Sequence, residues 1–214
     1  MEFKTDCELI DYSSALNFIE ERVESVIKDT EDELIWFVEH PPIITGGSSA
    51  DPADLLNDTA IEVHYSGRGG KYTYHGPGQR VVYLILNLKK RAEPNQPDLK
   101  EYIYQLEQII INSLAEINIT GKRIKGKVGI WVDGDPYPAK IAAIGIRLRK
   151  WVSYHGIAIN INPNLEHFKY IVPCGIREYG VTSIEELNNN CSKNQFDLIL
   201  EQQIRKIFST DKFR

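Results

Sequence analysis

A basic surplus is the first thing this chain lacks: 25 Lys and Arg against 30 Asp and Glu leave a net charge of -5. Phosphate backbones are normally met by excess Lys and Arg, so nucleic acid is excluded as the default partner, although an acidic protein can still dock on a local basic patch. Cysteine is scarce. Cys7, Cys174 and Cys191 are far apart and odd in number, which fits a reducing compartment better than a disulfide framework. No apolar run approaches the length of a membrane span. The opening Met1-Glu2-Phe3-Lys4-Thr5-Asp6 has neither the basic cluster nor the apolar stretch of a signal peptide, so a cytoplasmic protein with no membrane partner is expected. Cys-x-x-Cys, His pairs at helical ligand spacing and carboxylates clustered with histidines are missing, which argues against a metal. Internal repeats and low-complexity tracts are missing too.

What is present is an ordinary globular composition, 42% hydrophobic and 26% charged, in a chain long enough for one domain over 1–214 with a substantial core. Leu16, Ile19, Val23 and Val26 recur at helical spacing over Tyr12–Val26, with Ser13 as the cap. Leu34–Val38 is a continuous apolar run and reads as a buried strand, stopped by Glu39-His40-Pro41-Pro42. Ile43–Ala50, with Gly46-Gly47 and two serines, reads as a loop. Ile61–Tyr65 and Val81–Leu88 read as strands. Asp98 caps a longer helix carrying Leu99, Ile103, Leu106, Ile110, Leu114 and Ile117 on one face. Val128–Val132 and Ala139–Leu148, joined by Asp133-Gly134-Asp135-Pro136, form a hairpin pattern. Trp151–Asn162 is another strand, Pro173-Cys174-Gly175 a loop, and Phe196–Phe208 a closing helix. The fold class expected is α+β, a mixed or antiparallel sheet with packed helices.

The stretch Arg68-Gly69-Gly70-Lys71-Tyr72-Thr73-Tyr74-His75-Gly76-Pro77-Gly78-Gln79 stands between two strand patterns. Four glycines and a proline let its backbone approach a ligand closely, and its polar side chains exceed what a connector needs. It is not a Walker A loop, since Tyr72 follows Gly70-Lys71 where a hydroxyl for magnesium is required. It is not a dinucleotide fingerprint either, because a strand and not a helix follows.

Cys174, between Pro173 and Gly175, is the best candidate nucleophile, yet free cysteines are commonly small buried hydrophobes. Lys140 interrupts the apolar run Ala139-Lys140-Ile141-Ala142-Ala143-Ile144-Gly145-Ile146. It is either a buried amine or a strand-end lysine whose stem snorkels to water. His40, His75 and His155 each lie in a strand or at its end, where a base for Cys174 and a hydrogen-bonded core histidine are both open. Lys122, Arg123, Lys125, Lys127, Arg147, Arg149 and Lys150 form either a docking face or a solvated rim.

Taken together, these segments resemble the lipoyl(octanoyl) transferases. The residues that carry the resemblance are Glu39-His40-Pro41-Pro42; Arg68-Gly69-Gly70 with Thr73, His75, Gly78-Gln79 and Tyr83; Gly129-Ile130-Trp131-Val132; and Lys140–Gly145. His155-Gly156-Ile157-Ala158-Ile159-Asn160, Pro173-Cys174-Gly175 and Val181-Thr182-Ser183 complete it. One departure is Thr45-Gly46-Gly47-Ser48, where that family usually has a bulkier residue before a single glycine. The resemblance implies the fold of biotin and lipoate protein ligases, Cys174 as acyl-thioester nucleophile and Lys140 as the group that activates it. It also implies ligand contacts from Arg68–His75, from Ala143, Ile144 and Gly145, and from Gly156, Ile157 and Ala158. The donor implied is octanoyl-acyl carrier protein. The acceptors implied are lipoyl domains of 2-oxoacid dehydrogenase E2 subunits and the glycine cleavage H protein. No cofactor, no nucleic acid and a monomer are expected. An ATP-dependent lipoate or biotin ligase and a non-catalytic acyl-binding module are the alternatives.

Overall fold

The computed structural model describes residues 1–56, 60–172, 179–187 and 189–208. The fold is α+β. Its main sheet has eight strands, with β1 (Glu2–Leu9), β2 (Leu34–Glu39), β6 (Gln79–Ile85), β10 (Val152–Asn160), β9 (Ala139–Arg149), β8 (Lys127–Val132) and β7 (Lys122–Ile124) side by side in that order. A smaller sheet sets β3 (Ile43–Gly46) between β4 (Glu62–Tyr65) and β5 (Tyr72–His75). The main sheet is mixed: β1 runs parallel to β2, and β11 (Gly180–Val181) runs parallel to β9, while the other pairs are antiparallel.

Strand alternation sends successive side chains to opposite faces. Val82 and Leu84 of β6 with Ile157 and Ile159 of β10 face α3 (Leu99–Ala115) and α4 (Lys193–Phe208), forming the larger core. Val81, Tyr83 and Ile85 with Tyr154 and Ala158 face α1 (Tyr12–Ile27), whose Ala15, Ile19, Val23 and Val26 are buried. The C-terminal helix is fastened by an ion pair: Arg80, 1% exposed, donates from Nε and Nη2 to the two carboxylate oxygens of Asp197 at 2.9 and 2.8 Å.

Several elements differ from the sequence expectation. Helix α1 is capped by Asp11, not Ser13, because the Asp11 carboxylate accepts from Ser14 N at 2.8 Å. Ile43–Gly46 is a strand and not a loop, since it is buried and paired on both sides by β4 and β5. The glycine-rich stretch contains the short strand β5. Leu88 opens the helix α2 (Leu88–Ala92) and does not end β6, because the Asn87 side chain accepts from Lys90 N and caps it. Strand β1 has no apolar alternation to betray it; it is a polar edge strand held by β2. Among the described residues no helix is long and apolar enough to cross a membrane.

Candidate active site

On the α1 face the middle of the main sheet is uncovered by α1 and roofed by the smaller sheet and the glycine-rich loop. Between them lies a cavity of about 260 Å³. Its floor is read directly from strand register. Gln79 pairs with Asn160; Val81 with Ala158, which pairs with Ala143; and Tyr83 with Gly156, which pairs with Gly145. These are three rungs two residues apart, so all point to the same side of the sheet. The first is polar, the second small and apolar, and the third has no side chain on two of its three strands. Small residues at the centre of a sheet leave an open trough where larger ones would fill it.

Lys140 stands at the first rung, 6% exposed, and donates from Nζ to Val128 O at 3.0 Å, with the ammonium 4.6 Å from the Trp131 ring centre. Alternation from Gly145 and Ala143 would put Ile141, not Lys140, on this side. A bulge intervenes: Ile130 pairs with Ala142 while Trp131 pairs with Lys140, so β9 spends one more residue than β8. Ile141 and Ala142 consequently both enter the larger core. The extra residue turns Lys140 onto the cavity wall, one of the uses to which strand bulges are put beside functional sites.

The roof is tied down at the third rung. Gly69 N donates to Ile146 O at 3.0 Å. Arg68 spans to the smaller sheet, donating from Nη2 to Thr45 O at 2.6 Å and to Thr45 Oγ1 at 2.8 Å. Thr45 belongs to the segment where the sequence departs from the resembled family, and here it is the seat of Arg68. A Cβ at Gly145 would lie 3.1 Å from Arg68 Cδ and 3.2 Å from Gly69 O, so roof and floor nearly touch there.

A chain of side-chain bonds crosses the first rung. Gln79 Nε2 donates to Asn160 Oδ1 at 2.9 Å and to Tyr74 O at 3.1 Å, which leaves Gln79 Oε1 to accept from His75 Nδ1 at 2.6 Å. Asn160 Nδ2 in turn donates to Thr182 O at 2.9 Å, and Thr182 N donates to Lys140 O at 3.0 Å. His75 is thereby fixed as the Nδ1–H tautomer. Burial, then the charges of His40 and Arg68, pushes its pKa down to about 3. His155 is likewise pushed down to about 3, by burial first and then by Arg68 and Arg147. Neither is therefore a base of useful strength at neutral pH. His40 is a core histidine: Nδ1 donates to Ile10 O at 2.6 Å and Nε2 accepts from the Tyr83 hydroxyl at 2.8 Å, while burial lowers its pKa.

Of the residues singled out from sequence, Lys140, Arg68, Gly70, Lys71, Tyr72, Thr73 and His75 all line the cavity. So do Ala143, Ile144, Gly145, Gly156, Ile157 and Ala158. Gly69 serves the roof through its bond to β9 and is not on the wall. Tyr74 points the other way, its hydroxyl bonded to His167 Nδ1 at 2.8 Å. Cys174 lies outside the described residues; Phe168 and Val181, on either side of 173–178, both line the cavity. Tyr12, Val81 and Phe168 line it without any motif to announce them. Three of the seven basic residues are engaged in ion pairs: Lys122 with Asp133, Arg123 with Glu107, and Arg149 with Glu20 and Glu24. Among the described residues no group of three His, Cys, Asp or Glu is placed to hold a metal ion.

Comparison with known proteins adds to this geometry. The family model for the lipoyl protein ligase A/B catalytic domain matches residues 11–205. A protein of Neorickettsia sennetsu named octanoyltransferase is 50% identical over 97% of this chain and 99% of its own length. Another so named, from Wolbachia pipientis of Culex pipiens, is 48% identical over 92% and 95%. Among solved structures, an archaeal lipoylation system of Thermoplasma acidophilum, a bipartite lipoate protein ligase with its E2 lipoyl domain, matches with a TM-score of 0.71. That match is 12% identical and covers 96% of this chain and 82% of the other, a likeness of fold.

Proposed function

Because this chain belongs to the lipoyl protein ligase A/B catalytic-domain family, we propose that it transfers an octanoyl group from octanoyl-acyl carrier protein to a lysine of lipoyl domains. Acceptors of this kind are the lipoyl domains of 2-oxoacid dehydrogenase E2 subunits and the glycine cleavage H protein. The reaction runs through a thioester on Cys174, with Lys140 as the proton-transfer group and no cofactor. The whole chain acts as one catalytic domain, monomeric and cytoplasmic.

One observation carries the reading: a buried lysine, re-aimed by a bulge, at the polar end of a trough whose next two rungs are small and apolar. A lysine amine in such a place can take the proton of a nearby thiol and become the ammonium that pairs with the thiolate. A thiol with an ordinary pKa near 8.5 is mostly protonated at neutral pH, and pairing with an ammonium raises its thiolate fraction. The Cys174 thiolate attacks the carrier-bound thioester carbonyl, the carrier thiol leaves, and Lys140 returns the proton to it. One thioester replaces another at nearly equal energy. The acceptor amine then attacks the Cys174 thioester and loses a proton to Lys140, giving an amide and restoring the thiol. Amide formation runs downhill, so ATP is not consumed. Burying the tail along the trough stabilises the complex by about 0.8 kcal/mol per methylene.

The test is intact-protein mass after exposure to octanoyl-acyl carrier protein. A covalent octanoyl adduct is expected, discharged by a lipoyl domain and lost in Cys174→Ala. An adduct that persists in Cys174→Ala with an undiminished transfer rate would refute the nucleophile. Formation of octanoyl-adenylate from octanoate and ATP would favour a ligase instead.

A further inference from the structure

His155 breaks two rules at once. It lies in the middle of β10, yet its φ is +58°, a left-handed conformation that costs a non-glycine residue on the order of 1–2 kcal/mol. Its ring also leaves the alternation of its strand. Ser153 and Ile157, two residues to either side, face the α3–α4 side, where Ser153 meets the Tyr102 hydroxyl and Ile157 joins the larger core. His155 instead lines the cavity, stacked on Tyr154 at 5.1 Å and edge-on to Tyr83 at 6.5 Å between ring centres. The next residue takes up the twist: a Cβ at Gly156 would sit 1.9 Å from Val82 O, so no other residue fits there. His155 is 4% exposed, its ring on the cavity wall. Strain of this kind, kept by a buried ring at a cavity, calls for a role that folding does not supply.

The role follows from where the ring stands. The first and third rungs of the trough are four residues apart along each strand, roughly 13 Å. An extended eight-carbon chain, seven zigzag C–C bonds of about 1.5 Å, spans roughly 9 Å. With its carbonyl carbon beside Lys140, such a chain passes the second rung and ends about 4 Å short of the third, a van der Waals contact from a group standing there. There the roof is clamped by Gly69 on Ile146 and by Arg68 over Gly145. We infer that His155 is the end stop of this channel and sets the acyl length the protein accepts, the flank of its ring meeting the terminal methyl. This rests on the proposed function, since it assumes that the channel holds the acyl tail. A histidine can do this because it is neutral here and presents an apolar ring edge, while its αL backbone is better tolerated than that of a β-branched residue.

The experiment compares kcat/KM for transfer of hexanoyl, octanoyl, decanoyl and dodecanoyl groups from acyl carrier protein to a lipoyl domain. The parent is set beside His155→Gly and His155→Asn, both compatible with positive φ. The parent should prefer octanoyl. In His155→Gly the dodecanoyl-to-octanoyl ratio should rise at least tenfold, and in His155→Asn by a smaller factor in the same direction. A general loss of rate with the ratio unmoved, in whichever variant folds, overturns the end stop and leaves the ring a structural part. Failure of the parent to transfer any acyl group overturns the proposed function and this inference with it. An octanoyl-selective parent whose variants keep the same length preference overturns the inference alone.

Discussion

Acidification from pH 7 to pH 5 should destabilise this protein by about 4 kcal/mol, through two histidines that the fold holds neutral. His75 and His155 are both pushed down to about 3 by burial, whereas in the unfolded chain each titrates near 6.5. Below 6.5 the unfolded state binds protons that the native state refuses, so stability falls as pH falls and goes on falling until the native pKa is reached. For one such group the loss is about 0.2 kcal/mol at pH 7 and about 2 kcal/mol at pH 5, hence roughly 4 kcal/mol for the pair. That is a large share of a typical total of about 5–15 kcal/mol. His40 shifts in the same direction for the same cause. Asp197, raised by burial, has the opposite sign and offsets part of the loss. Asp11 is lowered by its helix-cap bonds, so its contribution is lost only as pH falls below the unfolded carboxylate range, outside this window. The assay is urea unfolding followed by the fluorescence of the buried Trp36 and Trp131 at pH 7, 6 and 5. The midpoint should fall with the slope unchanged, and His155→Asn should lose about half of the pH dependence. Stability that is level or higher at pH 5 would refute the assignment of both rings as buried neutral groups.

Replacing Lys140 by Met should lower octanoyl transfer roughly 10²–10⁴-fold if Lys140 is the proton-transfer group, far more than the loss of its bond to Val128 O and its contact with Trp131 would cost in stability; single-turnover rates and the melting temperature measure the two. Ala143→Leu fills the middle rung and, by displacing about three methylenes, should cost about 2.4 kcal/mol, roughly 60-fold in kcat/KM for octanoyl transfer. A carboxyl-terminal lock makes the fourth case: Asp197→Ala strands the buried Arg80 guanidinium and should destabilise by about 3–5 kcal/mol in chemical denaturation.

The strands that build the floor could be read from their apolar runs, and the oddity of one lysine within Ala139–Ile146 was enough to mark it. The way Lys140 reaches the cavity was not legible, because Ile141 and Ala142 are both apolar and either could face the core. A register shift leaves no trace when the residues on each side of it are alike. Strand β3 was hidden by the opposite problem: Gly46-Gly47 and two serines outweigh three good strand residues, and only the pairing of both its edges decides the matter. Tyr12 read as the start of a helix, which it is, but nothing local says that the helix begins at the rim of a trough. His155 is marked by its place in a strand, and its left-handed backbone is visible only in three dimensions. Cys174 was marked by its turn context and stands outside the described residues.

The two irregularities explain each other's position. A sheet face flips with every residue, so a regular β9 would turn Lys140 toward Ile130 and Val132 in the α3–α4 core. There an ammonium would lose its hydration among apolar side chains, at a cost of several kcal/mol. A regular β10 would send the imidazole of His155 the same way. The bulge and the positive φ each move one polar group off the larger core and onto the trough, at its two ends, while the rung between them stays regular. Regular pairing there is what keeps Ala143, Ala158 and Val81 in line and leaves the apolar length between the two groups fixed. A slip of one residue anywhere between them would change that length and reverse one face of the floor at the same time. The proposed reaction at one end and the proposed length discrimination at the other would therefore be coupled through the register of a single pair of strands, and a shift of register between them would disturb both.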